Sequence, residues 1–133
     1  MDVILDVDPG VDDALAILLA LASPELNVRA LTVVCGNVPL ERGIDNALRV
    51  LAFAGRDDVP VYAGADVPLS REPVHATEVH GESGLGHANL PPSSQKPRAG
   101  AAAFLDATLN AEPGEVTVVA VGPLTNLAAA ERA

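Results

Sequence analysis

An α/β fold with an open, mostly parallel sheet and flanking helices is predicted by three observations. Short β-branched runs alternate with longer segments of helical period from the first residues onward. Polar residues gather just beyond the apolar runs, at Asp6 to Asp13, at Gly36-Asn37 and at Gly122 to Asn126, which is where open parallel sheets bind ligands. At 133 residues, 49% hydrophobic and 20% charged, the chain is long enough to bury a core and is not disordered in composition.

Val3 to Val7 reads as a buried strand, and the apolar run from Ala14 to Ala22 as a helix. Ser23-Pro24-Glu25 breaks that helix, and Val28 to Cys35 supplies a second β-branched run. Ile44, Ala47, Leu48, Leu51 and Ala52 recur at helical spacing between Leu40 and Ala54, with Gly55 as the stop. Val59 to Ala63 is a third strand, and such alternation implies parallel strands joined by right-handed crossovers. From Gly64 to Gly100, prolines and glycines interrupt every period, so the segment reads as one long loop with local helix, of the length that usually serves a site. Its glycines suit a mobile lid. Ala99 to Leu109 is a third helix, Glu115 to Val121 a fourth strand, and Pro123 opens a helix that runs to the end of the sequence.

The first turn holds most of the chemistry. Asp6, Asp8, Asp12 and Asp13 flank Pro9-Gly10, and Asp6 and Asp8 leave one face of an extended strand. Carboxylates so close stay ionised together only beside a cation or strong donors. Asp12 as an N-cap and Asp13 as a partner of the helix dipole would be ordinary, but capping does not account for Asp6 and Asp8. A hard divalent ion does, and Ca²⁺ tolerates several carboxylates and carbonyls better than Mg²⁺. An EF-hand is excluded, because Ile17 stands where a loop counted from Asp6 needs its last carboxylate. An aspartate-nucleophile phosphatase is the rival, weakened by Gly10 at the place of its Thr or Val.

The unbroken stretch Asp6-Val7-Asp8-Pro9-Gly10-Val11-Asp12-Asp13-Ala14 resembles the N-terminal signature of the inosine-uridine preferring nucleoside hydrolases. Val79-His80-Gly81-Glu82-Ser83-Gly84-Leu85-Gly86 and Gly122-Pro123-Leu124-Thr125-Asn126 are similar to further segments of that family, in the same order. The resemblance implies a Rossmann-like nucleoside hydrolase fold and Ca²⁺-dependent cleavage of the N-glycosidic bond in purine and pyrimidine ribonucleosides. It implies Asp8 and Asp13 as metal ligands, with the carbonyl of Val121 as a third. Asp8 would take the proton of the attacking water, Asp12 and Asn37 would bind ribose hydroxyls, and His80 would lie by the substrate. Asp6 would brace the cluster from behind. The family's chains are more than twice as long, so residues 1–133 correspond to the N-terminal part of a single domain whose C-terminal part is missing. By that expectation the chain alone is inactive or weak. A non-catalytic module that binds Ca²⁺ or ribose is the alternative.

A net charge of −10 disfavours a nucleic-acid backbone or an anionic membrane as partner. The single cysteine, Cys35, lies in an apolar run and excludes an internal disulfide. No basic leader precedes the first strand and no apolar run is long enough to span a bilayer, so a cytoplasmic protein is the default expectation. A sheet without the family's remaining strands exposes an edge, which association into a homo-oligomer could cover.

Overall fold

A computed structural model describes residues 1–133. Five strands form one sheet: β1 (Asp2–Val7), β2 (Asn27–Val33), β3 (Val61–Ala63), β4 (Arg98–Ala99) and β5 (Val116–Ala120). Their spatial order is β4-β3-β2-β1-β5, and every neighbouring pair is parallel. The helices are α1 (Val11–Ala22), α2 (Leu40–Phe53), α3 (Thr77–His80), α4 (Ala101–Ala111) and α5 (Thr125–Glu131).

The two-residue period of β1 divides its side chains between two cores. Val3, Leu5 and Val7 join Ile17 of α1 and Ala47, Val50 and Leu51 of α2 on one face. Ile4 packs on the other with Ala30, Leu105 of α4 and Ala130 of α5. Asp6 is in phase with Ile4 and follows it onto that second face. The layers are therefore helices, sheet, helices, the arrangement expected of parallel strands with apolar side chains on both faces.

The order in which the strands were laid down matters for function. From β1 the chain steps outward through β2, β3 and β4, then returns through α4 to place β5 on the opposite side of β1. The direction of winding reverses between β1 and β5, and the crevice beyond the carboxyl ends of these strands is the switch point where such sheets bind ligands.

Several boundaries differ from the sequence reading. The first helix begins at Val11, with Gly10 as its N-cap, because Asp12 and Asp13 already carry helical backbone in the first turn. Asp12 is therefore not a cap. The segment from Gly64 to Gly100 holds the expected local helix as α3, but it also ends in an unexpected strand, β4, where Arg98–Ala99 pairs with Tyr62 and Ala63. Two residues carry no readable period, which is why the strand escaped the sequence. The last helix begins at Thr125 and ends at Glu131, so it does not run to the terminus.

Candidate active site

The carboxyl ends of β1, β2 and β5 bring Asp8, Asn37 and Gly122 together. Asp8, one residue beyond β1, is buried, and its Oδ2 accepts the backbone amide of Asn37 at 2.7 Å. The Asn37 side chain donates to the Asp8 carbonyl at 3.2 Å and to Asp13 Oδ2 at 3.4 Å. Asp13, buried in the first turn of α1, accepts the amide of Asp8 through Oδ1 at 3.3 Å. Asp8 and Asp13 of the first turn thus interlock with Asn37, which lies beyond β2.

Glycines make this approach possible. A Cβ on Gly36 would collide with the Asp8 carboxylate, and one on Gly122 would stand 3.0 Å from Asp8 Oδ1. Gly122, two residues beyond β5, therefore lies against the Asp8 carboxylate. The Val121 and Gly122 amides are held by the carbonyl of Asp6, at 2.9 and 3.2 Å.

Burial dominates the electrostatics. It pushes the Asp8 carboxyl up to about 6; the Asn37 amide opposes this, and the charges of Asp13 and Asp12 add to the rise. The Asp13 carboxyl is also raised, first by burial and further by Asp12, against the pull of the Asp8 amide. Desolvation outweighs the mutual repulsion of the carboxylates in both rises.

The four carboxylates do not form one cluster. Asp6 is fully buried on the α4/α5 side, where its Oδ2 accepts Thr32 Oγ1 at 2.6 Å and Asn126 Nδ2 at 2.9 Å. Its hydrogen bonds reach neither Asp8 nor Asp13, so its side chain does not brace them directly. Burial raises the Asp6 carboxyl, and the Thr32 and Asn126 hydrogen bonds oppose that rise. Asp12 is the opposite case, with a side chain 79% exposed at the mouth of the turn.

His80 ends α3 and reaches back to the first turn. Its Nδ1 accepts the Val11 amide at 3.2 Å and lies 3.8 Å from Asp12 Oδ1. In this arrangement Nδ1 is unprotonated, and the neutral ring carries its hydrogen on Nε2. The segment around it is fastened rather than loose. Ala76 donates to the Asn37 carbonyl at 2.9 Å, and His75 Nδ1 pairs with the Gly36 carbonyl at 2.8 Å. Buried Asn46 of α2 donates to the carbonyls of Pro9 and Ser83, at 3.1 and 2.7 Å. Gly84 has φ of +83°, and a Cβ there would stand 2.8 Å from Asn46 Nδ2. Close approach, not mobility, is the reason for that glycine.

The sequence reading missed Thr32, Asn46 and Asn126. Neutral residues in a strand and in two helices carry no signal of their own; only the fold shows which carboxylate or carbonyl each one meets. Cys35 is a buried free thiol, as expected, and burial raises its pKa. No helix is long and apolar enough to cross a membrane.

No three His, Cys, Asp or Glu side chains converge as a side-chain metal cage would. The donor set nevertheless suits a hard cation in part, because Asp8 and Asp13 present adjoining buried carboxylates, and Gly36 and Gly122 keep Cβ atoms away from Asp8. Calcium takes six to eight oxygens, so two side chains would need carbonyls, water or further residues to complete it.

Residues 3–133 match the family model described as inosine-uridine preferring nucleoside hydrolase. Uridine nucleosidase 1 of Arabidopsis thaliana is 50% identical over 129 residues, which are 96% of this chain and 38% of that protein. Among solved structures, the plant nucleoside hydrolase PpNRh1 superposes with a TM-score of 0.91 at 49% identity, covering 98% of this chain and 42% of the other. The purine-preferring ribonucleoside hydrolase from Gardnerella vaginalis gives a TM-score of 0.93 at 34% identity, covering 99% of this chain and 43% of the other. The chain thus spans less than half the length of these relatives. With the match running through all the elements that build the Asp8, Asp13 and Asn37 junction, the chain belongs to the inosine-uridine preferring nucleoside hydrolase family.

Proposed function

We propose that this junction is the N-terminal part of a single-domain, calcium-dependent centre that hydrolyses the N-glycosidic bond of ribonucleosides to ribose and free base. The observation that carries the reading is the interlocking of Asp8, Asp13 and Asn37 at the β1/β5 switch point. The matched segment is common to relatives named for uridine and for purine substrates, so the chemistry it holds is that of the shared sugar.

Asp8 and Asp13, with the Val121 carbonyl, would hold Ca²⁺. Bound there, the ion would supply positive charge that makes a water molecule more acidic and offsets the crowded carboxylates. Asp8, at the buried end of β1 beside the proposed ion, takes the proton of the attacking water. Cleavage of a ribosyl C–N bond passes through a cation-like sugar, which the anionic wall of the pocket favours. Asn37 and the exposed Asp12 bind ribose hydroxyls. His80, with its Nδ1 occupied by Val11, offers an Nε2 hydrogen to the substrate. Asp6 acts through the backbone, holding the end of β5.

Release of reducing sugar from inosine and uridine tests the reading, with and without a calcium chelator. Release abolished by chelation and restored by Ca²⁺ supports it. Mg²⁺-dependent release of phosphate from phosphomonoesters would replace it with the phosphatase reading. A second reading has its own support in the share of the relatives that this chain spans: residues 1–133 alone bind Ca²⁺ or ribose without turnover. Binding without sugar release in this chain, beside release by a protein of the relatives' length, is the result expected of it.

A further inference from the structure

Asn126 lies one residue into α5 and is 1% exposed, yet every hydrogen-bonding atom of its amide is used. Nδ2 donates to Asp6 Oδ2 at 2.9 Å and to the Val33 carbonyl at 3.2 Å, and Oδ1 accepts the amide of Ala65 at 2.8 Å. Asp6 belongs to β1, Val33 ends β2, Ala65 follows β3, and Asn126 itself follows β5. One side chain therefore ties together the carboxyl ends of four strands. Gly64 leaves room for it, since a Cβ at that position would collide with the Asn126 amide.

The connection continues to the site. Asp6 Oδ1 is buried without a partner, so Thr32 and Asn126 alone fix the Asp6 carboxylate. The Asp6 carbonyl holds the Val121 and Gly122 amides, and Gly122 abuts the Asp8 carboxylate. Asn126 at the start of α5 and the Asp6 carbonyl at Val121 and Gly122 thus both hold the chain after β5 against β1, next to Asp8.

We propose that Asn126 is a positioning residue that sets the gap between the Asp8 carboxylate and the end of β5, and so the pocket in which the reaction takes place. The catalytic meaning rests on the hydrolase reading, but the positioning itself can be measured without it. An asparagine is required because the location needs two donors and one acceptor. Serine cannot span them, and aspartate would set a second carboxylate against Asp6.

The test compares Asn126→Ser, Asn126→Asp and the exchange Asp6→Asn/Asn126→Asp in this chain by ¹H–¹⁵N spectra, alongside thermal melts. The Asn37 amide, bonded to Asp8 Oδ2, reports the carboxylate, and Val121 and Gly122 report the end of β5. In both single variants these signals move, and Ca²⁺ affinity falls on the order of 10–100-fold, as for groups that orient metal ligands. The exchange rebuilds the pair with donor and acceptor reversed and recovers the signals towards wild type; it also serves if a single variant fails to fold. Leu105→Ala, in the core beneath α4 and α5, lowers the melting temperature but leaves the Asn37 signal in place. Unchanged Asn37, Val121 and Gly122 signals in a folded Asn126 variant would overturn the proposal, as would an exchange variant that recovers none of them. Moved signals here, beside a protein of the relatives' length that neither binds Ca²⁺ nor releases sugar, would sink the hydrolase reading and leave the positioning intact.

Discussion

Asn37 holds Asp8 at two points, its backbone amide on the carboxylate at 2.7 Å and its side chain on the carbonyl at 3.2 Å. The side chain therefore orients Asp8, the proposed general base, through the backbone while remaining beside Asp13. Removing either partner has consequences for the other, and the predictions start from this pair.

Asp8→Asn keeps the shape of the side chain but removes its basicity and half of the adjoining carboxylate pair. In a protein with measured nucleoside hydrolysis, kcat should fall by about 10² or more, the usual scale for a lost general base. Turnover close to wild type with Ca²⁺ bound would refute the assignment of Asp8 as base.

Asn37→Ala removes the side-chain donor to Asp8 and Asp13 but keeps the backbone amide on Asp8 Oδ2. Its effect should divide between binding and chemistry, with KM for the nucleoside raised more than kcat is lowered. Steady-state kinetics on inosine and uridine separate the two, and an unchanged KM would remove Asn37 from the ribose contacts.

Acid should stabilise the metal-free protein over a defined window. Burial raises the folded pKa of Asp8 from 3.8 to about 6, so between these values the folded state binds more protons than the unfolded one. Stability then falls as pH rises through that window. Asp6 and Asp13 are shifted in the same direction and add to the trend. The melting temperature should therefore be higher near pH 5 than at pH 7, and Asp8→Asn should flatten the slope. Added Ca²⁺ should raise the pH 7 value by selective binding to the folded state. Melts recorded across this range with a chelator and with Ca²⁺ decide it.

Gly36→Ala puts a methyl group into the space of the Asp8 carboxylate. The side chain must move or the turn must open, at an overpacking cost of about 1–3 kcal/mol. Denaturant unfolding reads the stability, and Ca²⁺ titration reads the displacement. A variant with wild-type Ca²⁺ affinity would show that Asp8 is not a ligand.

The His80 ring should carry its hydrogen on Nε2 when neutral, because Val11 donates to Nδ1. Ring ¹⁵N shifts measured above the imidazole titration distinguish the two tautomers. An Nδ1–H ring would mean that the Val11 contact does not form in solution.

The sequence by itself determined the α/β class, the alternation of strands and helices, and the places where chemistry gathers. Backbone period and β-branching are local properties, and the acidic turn at Asp6 to Asp13 announces itself because charge seldom adjoins a buried strand without a reason. Even the resemblance to nucleoside hydrolases lies in contiguous segments. What only the tertiary structure decided is how those segments meet. Asp6 and Asp8 are close in sequence but part company at the end of β1, one towards Thr32 and Asn126 and the other towards Asn37 and Asp13. Asn126 joins Asp6 across most of the chain because β5 returns to lie beside β1. Strand order is set by packing on both faces of the sheet, a long-range balance that no local pattern encodes. Hydrogen-bond partners in a buried site follow from that order.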